Sequence, residues 1–149
     1  MVRSRRIAVI LMLVAVAGCG DDGKRTNSKP LGGGLGLEIE SEPAPPVSGK
    51  AVTWIVTAEN NGVEAVELTF GSSQRAEVVL RRDGKEAYRW SSGRFFSAAV
   101  SDERLLPNRK LRFELPSRPL KARPGKYDLI VRLTAKPEQE PLRRTIEID

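Results

Sequence analysis

Val52-Thr53-Trp54-Ile55-Val56-Thr57-Ala58 sets Val52, Trp54, Val56 and Ala58 on one side of an extended chain and Thr53, Ile55 and Thr57 on the other. Side chains along a strand point alternately to opposite faces, so this period of two lays one face on a core. Moving outward, the same alternation recurs. Leu35, Leu37 and Ile39 alternate with small or acidic residues before it. After it come strand-like runs at 64–70, 76–82, 85–90, 110–115, 126–135 and 142–148. Turn residues punctuate them: Asn60-Asn61-Gly62, Asp83-Gly84, Pro107-Asn108 and Pro124-Gly125. Asp83-Gly84 is the sharpest of these, because a two-residue hairpin turn of primed type needs positive φ at both positions and this dipeptide tolerates it. About eight short strands at this spacing predict an all-β domain over residues 35–149, an antiparallel immunoglobulin-like β-sandwich without the usual disulfide. A chain of this length buries roughly two-thirds of its unfolded surface, so neither a metal nor a bridge is required for folding. The one helical element expected is a short turn from Ser97 to Arg104.

The amino terminus reads differently. Met1 to Arg6 is short and positive, Ile7 to Ala17 is an unbroken run of eleven apolar residues, and Val16-Ala17-Gly18-Cys19 follows. That order is an export signal. Eleven residues span only about 16 Å as a helix, against a bilayer core of ~30 Å, so cleavage is expected over a lasting membrane span. The cysteine at the cleavage position resembles a bacterial lipobox, which implies removal of residues 1–18 and acylation of Cys19. The membrane, through this lipid anchor, is thus one expected partner and the cell envelope the expected location. Residues 19–34 follow as a Gly-rich, polar tether spanning roughly 20 Å. Its glycines at 32, 33, 34 and 36 lack the Gly-Lys-Ser/Thr ending of a phosphate loop.

Removing residues 1–18 also changes the charge. The whole chain carries 25 Lys+Arg against 19 Asp+Glu, a net +6, and Arg3, Arg5 and Arg6 go with the signal, leaving +3. The remaining basic residues are scattered instead of clustering with aromatics, which excludes a nucleic-acid partner. The chain has no histidine and a single cysteine, the latter assigned to lipidation. Without imidazole the common acyl-transfer triads fail, and no acidic or thiol cluster has metal-ligand spacing. The reading is therefore a non-enzyme with no catalytic residues, no metal and no cofactor.

The most distinctive segment is Leu68-Thr69-Phe70-Gly71-Ser72-Ser73-Gln74, followed by the hairpin through Asp83-Gly84 and by Tyr88-Arg89-Trp90-Ser91-Ser92-Gly93-Arg94-Phe95-Phe96. These residues, with Leu105-Leu106-Pro107 and Arg123-Pro124-Gly125-Lys126-Tyr127, resemble the BsuPI-type intracellular proteinase inhibitor domain from about residue 37 to 135. Two positions depart from that pattern: Arg75-Ala76-Glu77 replaces an aromatic and an acid after Gln74, and Phe113-Glu114 stands where a Trp is usual. The resemblance implies a protein partner, a serine protease of the subtilisin type. The namesakes act inside cells, whereas this chain carries an export signal.

Tyr88 and Trp90 lie two apart and share a face, and the expectation for Trp90 is core packing with its N–H on a backbone carbonyl. Ser91, Ser92, Gly93 and Arg94 are the candidate binding loop, with Leu115 to Lys121 as a second. Two functions stay open at this point: inhibition of an envelope serine protease, and a non-inhibitory interaction module built on the same sandwich.

Overall fold

The alternating pattern becomes eleven strands among the described residues, 29–31 and 34–149, of the computed structural model. In chain order these are β1 (Lys29–Leu31), β2 (Leu35–Glu42), β3 (Thr53–Asn60), β4 (Val66–Phe70), β5 (Ala76–Arg82), β6 (Lys85–Arg89), β7 (Ser101–Leu105), β8 (Lys110–Pro116), β9 (Gly125–Leu133), β10 (Ala135–Lys136) and β11 (Leu142–Ile148). All pair antiparallel, in sheets ordered β1-β2-β3-β8, β11-β9-β5-β6 and β10-β4-β7. The expected sandwich is thus present, with more strands than the alternation alone marks.

Its core follows from register. Leu37 lies opposite Ala58 and Ile39 opposite Val56 across β2 and β3. Val78 lies opposite Val131 and Leu80 opposite Leu129 across β5 and β9. All of these join Trp54, Phe70, Leu105, Leu115 and Leu120 in one buried cluster. Each large apolar side chain so buried contributes about 1.5–3 kcal/mol. No helix among the described residues is long and apolar enough to cross a membrane.

Two turn signals carry more than punctuation. Asp83 and Gly84 have φ of 52° and 72°, the positive pair that a primed turn demands, and they join Arg82 to its partner Lys85. Asn60 is fully buried at the end of β3. Its side-chain amide donates to the carbonyls of Glu64 (2.7 Å) and Leu105 (2.8 Å), and its Oδ1 accepts from the Gly62 N–H (2.9 Å). At the start of β9 the Tyr127 hydroxyl donates to the Arg123 carbonyl four residues upstream (2.8 Å), a corner device familiar in immunoglobulin-like sandwiches.

Three expectations are corrected. The helical turn from Ser97 to Arg104 is absent: the chain runs irregularly to residue 100 and then forms β7, pairing Glu103 with Leu68 and Asp102 with Thr69. Strand β4 offers backbone groups that must be paired, and the Thr69 hydroxyl to Asp102 (2.7 Å) and Arg104 to Glu67 (3.1 Å) contacts fit that register. The single run over 126–135 divides at Thr134, where the chain passes from β9 in one sheet to β10 in another. Thr134 marks the crossing by donating its N–H to the Arg75 carbonyl (3.1 Å) and its hydroxyl to the Gln74 carbonyl (2.6 Å). Within the stretch read as tether, Lys29–Leu31 forms β1 along β2, with Leu31 opposite Leu35. The export signal, Cys19 and the rest of the tether up to Gly33 lie outside the described residues.

Candidate functional site

Among the described residues no group of acidic, His or Cys side chains is placed to hold a metal ion. The concave features are shallow. One of about 350 Å³ runs beside β6 and is lined by Tyr88, Trp90, Arg94, Arg118 and Lys121. It is basic and open, poorly suited to enclosing a small apolar ligand. The candidate loop lies in the segment that follows β6.

Strand β6 is the last of its sheet, and Lys85, Glu86 and Arg89 leave its free edge charged. Tyr88 leans inward, its ring 6.3 Å from that of Trp54, and its hydroxyl accepts from the Trp54 indole N–H (3.3 Å). Burial pushes the Tyr88 phenol above its ordinary value, and the hydrogen bonds from Trp54 and Ser117 oppose that shift. Trp90 does what its size demands: it is 8% exposed, sits in the core cluster and donates its indole N–H to the Pro116 carbonyl (3.1 Å).

The candidate loop begins immediately after it. Among the described residues Glu77, 6% exposed, is one of two buried polar residues, and its carboxylate is the loop's anchor. It accepts the Ser91 N–H (3.1 Å), the Val78 N–H (3.2 Å), the Gln74 side-chain amide (3.3 Å) and the Ser91 hydroxyl, and Arg89 lies 3.5 Å away. A buried carboxylate persists when its lone pairs are filled in this way. Ser92 then donates to the Arg89 carbonyl (3.2 Å) and Arg94 to the Ser91 carbonyl (3.1 Å), closing a turn in which Gly93 adopts φ of 69°.

Of the four loop residues, Ser91 is therefore committed inward to Glu77, while Ser92 and Gly93 face solvent. Arg94 folds back: its guanidinium lies 4.4 Å above the Trp90 ring and donates to the Trp90 carbonyl (2.9 Å) and to the Pro116 carbonyl. The structure brings the four together as a braced turn. It also exposes what sequence reasoning passed over, the run from Arg94 to Val100, which adopts neither strand nor turn. Phe96 packs on Trp90 at 5.6 Å, and Ser97 is tied at both backbone groups to Ser73, whose N–H donates to the Ser97 carbonyl (2.9 Å) and whose hydroxyl accepts the Ser97 N–H (3.0 Å). Phe95, between these ties, is fully exposed at 102%. The available signal was Phe95-Phe96, two adjacent aromatics that cannot both face a core when neighbouring side chains diverge.

The second loop is shorter than it reads. Ser117 and Leu120 donate their N–H groups to the carbonyls of Val52 and Lys50, both at 2.8 Å, and Leu120 is fully buried. Only Arg118 and Pro119 stand free between them.

The profile of the BsuPI family, intracellular proteinase inhibitor, matches residues 39–138. The chain belongs to the BsuPI intracellular proteinase inhibitor family. The matched span of this BsuPI domain runs from within β2 to just past β10 and contains Glu77, the braced turn, the exposed run and the second loop. Curated protein sequences offer no match to it. Among solved structures, Spo0M, a sporulation control protein from Bacillus subtilis, resembles the BsuPI domain with a TM-score of 0.50 at 13% identity, over 78% of this chain and 50% of that one. The chain thus spans half the length of that protein, and the likeness is one of fold. Lower-scoring likenesses include a glycoside hydrolase family 2 β-glucuronidase (TM-score 0.43, 10% identity, 75% of this chain and 11% of that) and a β-glucuronidase from Bacteroides uniformis (0.39, 17%, 75% and 12%).

Proposed function

We propose that this protein is a lipid-anchored inhibitor in the cell envelope that binds a serine protease of the subtilisin type. The observation that carries the reading is the family match over residues 39–138, within which lies an exposed segment braced at both ends. Inhibition by binding asks for a surface that is ordered before it meets its target, since association otherwise has to order it. The lipobox-like Val16-Ala17-Gly18-Cys19 supplies the location: acylation at Cys19 tethers the domain, and the polar residues after it hold the domain clear of the bilayer. Gly20, in place of an aspartate, favours the outer membrane in a cell with two membranes; in a cell with one, the domain faces outward.

Titrating purified protein into subtilisin-type proteases tests the first half. Stoichiometric loss of protease activity, with the domain intact by mass spectrometry, is expected. No inhibition across several such enzymes turns the reading to a non-inhibitory interaction module. Palmitate labelling tests the second half: incorporation by the wild type and its loss in Cys19→Ala are expected, and an unlabelled, secreted wild type refutes the anchor.

A further inference from the structure

We propose that residues 94–100 are the segment that enters the protease cleft and that Phe95 fills an apolar specificity pocket there, an assignment that rests on the inhibitor reading above. Phe95 is the only aromatic among the exposed large apolar residues of the described chain, the others being Val63, Val100 and Leu106. Single exposed apolar side chains are ordinary, so exposure alone decides nothing. The frame around Phe95 decides it. On the amino side, Arg94 is fixed by its stack on Trp90 and its bonds to the carbonyls of Trp90 and Pro116. On the carboxyl side, Phe96 is fixed by Trp90 and Ser97 by Ser73. The residue between these ties is held in place, its ring presented to water with no partner. An aromatic ring is a rigid anchor of large area, the kind of side chain that dominates binding once it enters a pocket.

The partner's chemistry matches. A serine protease binds a peptide segment along its cleft and reads one side chain in a pocket beside the nucleophile, an apolar slot selecting aromatic rings. Ser97, Ala98 and Ala99 have small side chains that let the backbone lie close to a cleft wall. Arg94 is unsuited to a basic-specific pocket because its guanidinium is already engaged with Trp90 and Pro116. The rival surfaces are weaker. The second loop is pinned by the N–H groups of Ser117 and Leu120, and its exposed residues, Pro116, Arg118, Pro119 and Lys121, include no aromatic anchor, while the charges on the β6 edge oppose addition of a partner strand.

The test is tight-binding titration of the full-length protein in detergent against a subtilisin-type protease that inhibition of the wild type has identified. Phe95→Ala is expected to weaken inhibition at least ~30-fold, and Phe95→Leu to recover most of that loss, with unchanged thermal midpoints because the ring is fully exposed. Arg118→Ala is expected to stay within about twofold of wild type, as an exposed residue outside the contact. Wild-type inhibition with an unaffected Phe95→Ala, or with Arg118→Ala as the variant that loses it, overturns the assignment and leaves the inhibitor reading standing. A wild type that inhibits no such protease overturns both, and the fault then lies with the inhibitor reading.

Discussion

Removing the Glu77 carboxylate should release the braced turn while leaving the sandwich folded. In Glu77→Ala, the N–H groups of Ser91 and Val78, the Ser91 hydroxyl and the Gln74 side-chain amide lose their acceptor together. A buried donor left unpaired costs about 1–3 kcal/mol. The Val78 N–H lies deepest and stands to bear that cost in full. Ser91 is half-buried, so water reaches its groups once the turn opens. Loss of the Arg89 ion pair adds little, because Arg89 is 41% exposed there. The net expectation is a loss of about 2–4 kcal/mol, or roughly 8–15 °C in thermal midpoint for a domain of this size. Glu77→Gln keeps one oxygen for the Ser91 and Val78 amides and should lose about half as much. Urea denaturation measures the magnitude, and amide hydrogen exchange at Ser91, Ser92 and Arg94 locates it, since protection there should fall before that of Leu80 within β5. A Glu77→Ala protein within ~0.5 kcal/mol of wild type, with unchanged exchange at Ser91, would refute the role given to this carboxylate.

Asn60→Ala should cost about 2–4 kcal/mol in urea denaturation, because the Glu64 and Leu105 carbonyls and the Gly62 N–H lose their partners at a fully buried position. Gly84→Ala should cost about 1 kcal/mol through backbone strain alone, since φ is 72° and a Cβ there meets nothing within 4 Å; circular dichroism melts read the shift. Tyr88 makes stability fall at alkaline pH. Its folded value is raised above the ordinary 10.0, so above that pH the unfolded chain sheds a proton that the folded chain keeps, and stability declines until the folded group also titrates. Urea midpoints between pH 8 and 11 should therefore decline less steeply in Tyr88→Phe, from a lower starting level because the Trp54 indole loses its acceptor.

Local chemistry made much of the sandwich legible. The alternation at Val52–Ala58 and the positive-φ requirement at Asp83-Gly84 depend on neighbours one or two residues away; Val52, Trp54, Val56 and Ala58 lie in the core cluster and both turn residues take positive φ, while Ile55, on the other face of the strand, is buried as well. Strand β7 was illegible for the opposite reason. Ser-Asp-Glu-Arg has no apolar alternation to announce a strand, and only the open edge of β4 makes it one.

The candidate site divides along the same line. By itself the sequence determined the all-β class, the hairpin that carries Trp90, the family motif around Tyr88 to Phe96, and the expectation of a lipid anchor at Cys19, because each rests on residue types and spacings within one stretch of chain. Tertiary structure alone decided that Ser91 belongs to Glu77, 14 residues earlier, that Arg94 and Trp90 meet at the Pro116 carbonyl, and that Ser73 holds Ser97. Those contacts join segments that are distant in sequence. They exist only once β5, β6 and β8 have taken their places in the sheets, and they leave Phe95 held in the open while its neighbour Phe96 is packed against Trp90.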